Sequence, residues 1–146
     1  MQKIATFLMF EGNAEAAMSF YMSLFPDSKI VSIRRYGAEG PGPEGSVAHA
    51  VFSLNGQDFM CIDSPAKHGF TFTPATSLFV TCGSAAEVDS LFGKLSDGGQ
   101  VLMPLDVYPF AQRYGWCNDR FGVSWQISFS WDTAALATSP HGSGSR

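Results

Sequence analysis

A nine-residue pattern that occurs twice constrains the fold of this chain more than any other feature. Residues 13–21 (NAEAAMSFY) match residues 84–92 (SAAEVDSLF) 71 positions later, with a helix-capping residue first and apolar residues at the same places. A second match, 66 positions apart, relates residues 56–60 to residues 122–126, and each of these segments begins with glycine. Recurrence of this kind indicates two copies of one supersecondary unit.

The first copy predicts a strand, a helix and three more strands. An apolar run at residues 3–10 is typical of a strand buried on both faces. Asn13 is a candidate N-cap for a helix whose apolar stripe extends from Ala14 to Phe25, and Pro26 ends that helix. The remaining strands of this copy are predicted at 29–36, 47–54 and 57–63.

Two turns separate these last strands. Residues 37–45 (GAEGPGPEG) contain too much glycine and proline for a regular element, and we expect a flexible loop there. Asn55-Gly56 tolerates the positive φ angles of a two-residue hairpin, so the strands on either side of it are predicted to pair.

The second copy repeats the same order of elements. Ser84 followed by Glu87 matches a capping box, and Val88, Leu91, Phe92 and Leu95 supply the apolar stripe of the helix. Its strands are predicted at 77–82, 100–105, 112–118 and 123–129.

The fold class expected from this order is α+β, with two tandem βαβββ modules. We expect one domain over residues 1–131, with module one at about 1–64, a link at 65–76 and module two at about 77–131. A chain of 146 residues buries enough surface to fold without disulfide staples. Residues 132–146 have the composition of a flexible tail.

Composition and charge indicate which partners and which cellular compartment to expect. The three cysteines are widely separated and form no C-x-x-C pattern, which argues against a disulfide framework and a thiolate metal site. A net charge of −4 with scattered Lys and Arg gives no footprint for nucleic acid. The amino-terminal apolar run ends at Glu11, before a signal sequence or membrane span is complete. We therefore expect a cytoplasmic protein with no nucleic-acid or membrane partner.

Five segments resemble the PhnB-like family, which is often labelled 3-demethylubiquinone-9 3-methyltransferase and belongs to the glyoxalase, or vicinal-oxygen-chelate, superfamily. They are residues 10–17 (FEGNAEAA), 20–21 (FY), 49–57 (HAVFSLNGQ), 59–63 (FMCID) and 119–126 (DRFGVSWQ). The resemblance covers about residues 2–130. It implies a cupped sheet formed by the two modules, and a homodimer.

The resemblance also implies where a metal would bind. Metal-dependent members of the superfamily carry ligands on the first and last strands of each module, and the repeat offsets place those positions at Thr6, Met60, Ser77 and Gln126. Because none of them is a histidine, cysteine or carboxylate, we predict no metal. Nor does the chain have the Gly-rich strand-to-helix turn of a conventional adenosylmethionine site, so we predict no cofactor.

Strand alternation within that cup predicts an apolar cavity with a few polar groups. Such a lining suits a small, largely hydrophobic organic molecule, and a filled core is the alternative. The candidate pocket residues are Thr6, Leu8, Met60, Ile62, Ser77, Phe79, Trp116, Ser124 and Gln126.

A few other side chains have candidate chemical or structural roles. His49 is a candidate general base, with a simple hydrogen-bonding role as the alternative. Asp63 is expected at a strand end, and Cys117 as a buried thiol. Asp119 is expected to fix the last hairpin, and Trp125 to pack under a helix on the side opposite Gln126. His68 and His141 are expected to be solvated.

Three functions remain open from the sequence. The first is a metal-free protein that binds a small organic molecule. The second is a lyase, isomerase or dioxygenase that uses a metal at ligands such as His49, which stoichiometric bound metal would reveal. The third is the quinone methyltransferase of the family label, which requires adenosylmethionine binding.

Overall fold

A computed structural model describes residues 2–131 of the chain. The chain divides between Phe70 and Thr71 into two compact units, here called the N-terminal unit and the C-terminal unit. The predicted tail at 132–146 lies outside the described residues.

The N-terminal unit contains one helix and a four-stranded mixed sheet. Its elements are β1 (Thr6–Phe10), α1 (Ala14–Leu24), β2 (Ser28–Arg35), β3 (Val47–Leu54) and β4 (Gln57–Asp63). The strand order is β1-β4-β3-β2, with β1 parallel to β4 and the other neighbours antiparallel. Asn55 and Gly56 join β3 to β4 with φ angles of 52° and 83°, which confirms the predicted hairpin.

The C-terminal unit repeats this arrangement. Its elements are β5 (Leu78–Thr81), α2 (Ala85–Ser96), β6 (Gln100–Tyr108), β7 (Ala111–Asn118) and β8 (Ser124–Phe129). The strand order is β5-β8-β7-β6, again with the first and last strands parallel. The chain therefore has an α+β fold of two tandem βαβββ modules, as predicted. β6 extends beyond the predicted 100–105 because it is an edge strand, where Pro104 and several register shifts are tolerated.

Each helix buries the apolar stripe that the sequence predicts. In α1 the buried residues are Ala14, Ala17, Met18 and Tyr21, and in α2 they are Val88, Leu91, Phe92 and Leu95. The first helix ends before Phe25, whose backbone is extended. In the C-terminal unit the contact between helix and sheet is close, since a Cβ on Gly115 would lie 2.5 Å from the Phe92 ring.

The expectation that the first strand is buried on both faces is wrong. Leu8 and Phe10 are buried, but Phe7 between them is 51% exposed and Ile4 before the strand is 85% exposed. Only the face of β1 that carries Leu8 and Phe10 belongs to the core.

The loop predicted to be flexible is tied to the body of the N-terminal unit. Tyr36 N donates to Ser46 O and Gly45 N donates to Tyr36 O, each at 2.9 Å. The Tyr36 ring also lies so close to Gly42 that a Cβ there would be 2.6 Å from it. The loop is therefore closed at its base and packed in its middle.

Within residues 2–131, no helix has the length and apolar character that crossing a bilayer would require.

Candidate functional site

The candidate site of the C-terminal unit lies on the sheet face turned away from α2, here called its helix-distal face. Gly115 contacts Phe92 of α2 and pairs with Ile127, so these two positions face the helix. Alternation places the residues between them on the other face. The helix-distal residues of β7, β8 and β5 that matter here are Tyr114, Trp116, Asn118, Ser124, Gln126 and Phe79.

A hydrogen-bonded chain of side chains crosses this face. The Tyr114 hydroxyl donates to Gln126 Oε1 at 2.5 Å, and Gln126 Nε2 donates to Ser77 Oγ at 2.7 Å. Gln126 thus uses both ends of its amide, which fixes the side chain in one orientation. Three neighbouring segments of the sheet are linked by uncharged groups.

A second pair lies beside that chain. Trp116 Nε1 donates to Ser124 Oγ at 2.8 Å, and Ser124 is almost fully buried. Asn118, which pairs with Ser124 across the strands, has a buried Oδ1 that accepts no hydrogen bond from the described residues. This is an unsatisfied acceptor of the kind that usually costs stability.

The chemistry of this face favours binding over proton transfer. Burial, with a smaller contribution from the neighbouring Tyr108 phenol, raises the pKa of Tyr114 above its ordinary value. Tyr114 therefore remains a neutral hydroxyl donor at physiological pH. Together with the serine and amide groups it offers hydrogen bonds without charge.

In the N-terminal unit, strand register corrects the predicted pocket. Thr6 pairs with Phe59 and Leu8 pairs with Cys61, whereas Met60 pairs with Phe7. Thr6 and Leu8 therefore lie on the opposite face of the sheet from Met60 and Ile62, and Leu8 is buried in the core. The prediction that these four residues line one cavity is wrong.

The reason is one additional residue before α1. Cys82, which continues β5 by donating its N–H to Ser128 O, is followed by two residues before α2, whereas Phe10 is followed by three before α1. Gly12, with a φ angle of 118°, lies in the longer connection. The two helices therefore match at an offset of 71 positions, but the first strands of the two units match at an offset of 72. An error of one residue in the offset assigns every side chain of a strand to the wrong face of the sheet.

The register also shows what occupies the helix-distal face of the N-terminal sheet. Met60 lies where Gln126 lies in the C-terminal unit, and Phe7 lies where Phe79 lies. His49 lies where Tyr114 lies, and its ring makes no hydrogen bond or ion pair within the described residues. No group orients His49 as a base, and its role in catalysis stays a prediction.

The residues at the metal-ligand positions of the superfamily do not fit a metal. On the helix-distal faces these positions carry Phe7 and Met60 in one unit, and Phe79, Ser77 and Gln126 in the other. Phenyl rings supply no ligand atom, and thioether, hydroxyl and amide groups bind divalent metals weakly. Residues 2–131 also contain no cluster of three or more His, Cys, Asp or Glu side chains with ligand geometry.

Two buried carboxylates prove to be structural. Asp63 Oδ1 accepts hydrogen bonds from Gly12 N and Ala14 N, and its Oδ2 accepts one from Val47 N. Asp63 thereby satisfies the start of α1, which Asn13 leaves without a side-chain cap.

Asp119 fixes the turn before β8, as predicted. It accepts from Phe121 N, Val123 N and Trp125 Nε1. Trp125 is buried on the helix side, opposite Gln126, which confirms the expected packing.

The cysteines are buried and unreactive. Burial raises the pKa of Cys61, Cys82 and Cys117 to about 12, and a nearby carboxylate in each case adds to the shift. Thiols with such a pKa are protonated at neutral pH and make poor nucleophiles.

Comparisons with known proteins identify the family. A family model described as 3-demethylubiquinone-9 3-methyltransferase matches residues 2–128. The PhnB protein of Bacillus cereus is 61% identical, with a TM-score of 0.86 over 88% of this chain and 100% of that one. A Pseudomonas aeruginosa protein of known structure is 28% identical, with a TM-score of 0.77 over 89% and 98% of the two chains.

Two further proteins are similar to this chain at lower sequence identity or in fold alone. An uncharacterized protein of Mycobacterium bovis is 30% identical over 122 residues, which are 79% of this chain and 75% of that protein. A glyoxalase/bleomycin-resistance/dioxygenase domain from Frankia is 14% identical with a TM-score of 0.62, over 89% of this chain and 98% of that one, and shows a shared fold alone. The chain belongs to the 3-demethylubiquinone-9 3-methyltransferase family, a PhnB-like branch of the proteins with the glyoxalase fold.

Proposed function

We propose that this protein binds a small, uncharged, largely hydrophobic molecule that carries a hydrogen-bond-accepting oxygen. The site is the helix-distal face of the C-terminal unit. The observation that carries the proposal is the chain from Tyr114 through Gln126 to Ser77, because it holds neutral donors in fixed positions beside an apolar side chain.

The donors left over on this face define the ligand. Ser77 and Ser124 each accept one hydrogen bond, and each keeps its own hydroxyl hydrogen. Gln126 has a second N–H beyond the one given to Ser77. A ligand carbonyl or ether oxygen would satisfy these donors. An ionised ligand would lose its hydration without gaining an opposite charge from these side chains.

Aromatic side chains on the same face favour a flat ligand. Phe79 is 58% exposed and Trp116 is partly buried. Rings of this kind stack on planar molecules and add roughly 0.5–1.5 kcal/mol beyond simple burial. The family description names a quinone, which is a planar ring with two carbonyl oxygens, and a quinone has the chemistry that this face would accept.

Binding without turnover suits the groups present. Tyr114 stays protonated, and the thiols are protonated as well. With no base among the residues of this face to activate its serine hydroxyls, we favour a binding or sequestering role.

We further propose that residues 1–131 act as one domain, in a cytoplasmic homodimer. Val101, Val107 and Phe110, on or next to edge strand β6, are exposed apolar side chains that suit a subunit contact. A light-scattering mass equal to one chain would contradict the dimer.

Binding can be tested with two matched probes by equilibrium dialysis. Duroquinone is a planar ring with two carbonyls and no free ring position for thiol addition, and durene is the same methylated ring without carbonyls. We expect duroquinone to bind at least about fivefold more tightly, since one satisfied hydrogen bond is worth about 1 kcal/mol. Equal binding of the two, or no saturable binding of duroquinone, would reject the proposal.

Variants locate the site. Gln126→Met should remove most of the preference for duroquinone, because it breaks the hydrogen-bonded chain. Met60→Gln, at the matching position of the N-terminal unit, is the control and should leave the preference unchanged. If Met60→Gln lost the preference for duroquinone and Gln126→Met kept it, the ligand would bind to the N-terminal unit instead.

Two further titrations separate this proposal from the alternatives. We expect neither adenosylmethionine nor zinc, nickel, manganese or iron to bind stoichiometrically. One adenosylmethionine per chain would favour methyl transfer. One metal ion per chain, lost in His49→Ala, would favour a metal-dependent enzyme.

A further inference from the structure

A separate cavity of about 180 Å³ lies in the N-terminal unit. It opens where the turn after β1, the end of β4 and the loop after β2 meet. Glu11, Ser46, Ser64 and Lys67 are among the residues that line it. None of them lies on the helix-distal face proposed as the ligand site.

Ser64, which lines this cavity, is in hydrogen-bond contact with a neighbouring histidine. Ser64 Oγ and His68 Nε2 lie 2.8 Å apart. Ala66 N donates to Ser64 Oγ at 3.3 Å, so the serine already accepts one hydrogen bond and its hydroxyl hydrogen is available to the imidazole. In the Nδ1–H tautomer, His68 Nε2 accepts that hydrogen.

One contact orients the imidazole ring, and a second anchors the backbone of the same residue. Its ring stacks on Phe70 with centroids 4.9 Å apart, and the His68 backbone N–H donates to Glu11 Oε2 at 3.3 Å. His68 is half-buried rather than solvated as the sequence predicted.

We propose that Ser64 and His68 form a nucleophile and general-base pair that accepts short acyl groups from activated esters. A hydroxyl within hydrogen-bond reach of an oriented imidazole is the arrangement that activates serine. This site is independent of the ligand face of the C-terminal unit.

The reaction proceeds in two balanced steps. Ser64 Oγ attacks the ester carbonyl carbon while its proton passes to His68 Nε2, and the carbonyl oxygen becomes an oxyanion. The bond from carbon to the leaving oxygen then breaks, and the leaving group takes the proton from His68. Water, deprotonated by the same imidazole, next attacks the acyl carbon. The bond from that carbon to Ser64 Oγ then breaks, and His68 returns the proton to Oγ, which releases the acid and free Ser64.

We assign the countercharge of the oxyanion to Lys67, whose side chain is 93% exposed. It lines the cavity beside Ser64, and its Nζ lies 4.0 Å from Glu11 Oε1. In the proposed reaction this solvent-exposed ammonium group turns from Glu11 to the oxyanion and stabilises the tetrahedral intermediate. The volume of about 180 Å³ corresponds to roughly six waters at about 30 Å³ each, which limits the buried part of the substrate to a short acyl group.

The test is acetylation by p-nitrophenyl acetate, followed by nitrophenolate release and by mass spectrometry of peptides. We expect a burst of one nitrophenolate per chain and an acetyl group on Ser64. Ser64→Ala should abolish both, and Ser64→Cys should restore acylation. His68→Gln should slow the burst about a hundredfold, as for loss of a general base.

Ser23→Ala is the control, since Ser23 is an exposed serine of α1 whose hydroxyl donates to Phe20 O. It should react as the wild type does. Thermal melting of each variant verifies that it folds. Acetyl groups found on Lys67 or on other residues but not on Ser64, or a burst that persists in Ser64→Ala, would overturn the proposal.

Discussion

The two units share a backbone plan but carry opposite chemistry on their helix-distal faces. In the C-terminal unit, Gln126 bonds to Tyr114 and Ser77. At the matching places in the N-terminal unit, Met60 and His49 make no such chain. The helix stripes and hairpin glycines match because the fold requires them. The faces differ because the fold leaves them free, and the polar one is where specific binding belongs.

The units also differ in how they begin their helices. Ser84 Oγ accepts from Glu87 N at 3.1 Å, and Glu87 Oε1 accepts from Gly83 N at 2.9 Å, so α2 is capped locally. In the N-terminal unit the cap comes from Asp63, at the end of β4. The first helix therefore depends on a long-range contact and the second does not.

Asp63→Ala should show this difference most strongly. It leaves the N–H groups of Gly12, Ala14 and Val47 without their acceptor, and we expect a loss of about 3 kcal/mol in the free energy of unfolding. Ser84→Ala should cost only about 1 kcal/mol. Urea unfolding of both variants measures the two values, and equal losses would contradict the distinction between the caps.

Gly115→Ala and Ala50→Gly together test how closely the helix of each unit lies on its sheet. The added methyl would meet the Phe92 ring at 2.5 Å, and we expect a cost of about 2 kcal/mol from overpacking. The matching residue of the N-terminal unit is Ala50, which has a Cβ and is fully buried. Ala50→Gly should cost about 1 kcal/mol. A neutral Gly115→Ala in thermal melting would show that α2 has room to move.

The thiols make the stability of the protein depend on pH above about 8.5, with one of them in the N-terminal unit and two in the C-terminal unit. Burial raises the folded pKa of Cys117 to about 12, above the ordinary value of about 8.5 in the unfolded chain. The unfolded state therefore loses this proton first as pH rises, and stability present below about pH 8.5 is lost towards pH 12.

Between pH 8 and about pH 9.5, the loss attributable to Cys117 should be about 1.3 kcal/mol. Comparing wild type with Cys117→Ala at both pH values isolates this contribution from other titrating groups. A fall of the same size in the variant would show that Cys117 has no role in it.

The smallest effect on stability is expected from exchanging the central residues of the two helix-distal faces. Gln126→Met breaks two hydrogen bonds between partly buried groups and should cost about 1 kcal/mol, at about 0.5 kcal/mol for each bond. Met60→Gln should change stability by less than about 0.5 kcal/mol, as for surface substitutions. Larger losses in either variant, measured by urea unfolding, would mean that these faces contribute to the core.

The sequence predicted those parts of the fold that local patterns determine. β3 and β4 have the predicted bounds because Asn55-Gly56 sets their register. The prediction of which β1 side chains share a face with Met60 was wrong, because the connection that contains Gly12 has one more residue than its counterpart and the alignment of the helices does not reveal it. Asp63 as the cap of α1 could not be foreseen, since it lies far from Ala14 in sequence.

The candidate site was predictable to the same extent. Ser77, Phe79, Trp116, Ser124 and Gln126 lie on one face, as alternation in the C-terminal unit indicates. Tyr114 and Asn118 were missing from the predicted pocket, although alternation from Trp116 places both beside it. Hydrogen-bond partners such as Tyr114 and Gln126 depend on side-chain geometry that a pattern of residue types does not contain.

The most direct test of the proposed ligand face is the indole N–H spectrum of the three tryptophans during titration with duroquinone. Trp116 lies on that face and donates to Ser124, whereas Trp125 lies on the opposite side and donates to Asp119. We expect the Trp116 resonance to shift in a saturable way and the Trp125 resonance to stay in place. A spectrum in which Trp116 is unchanged while duroquinone binds would contradict a ligand site on this face.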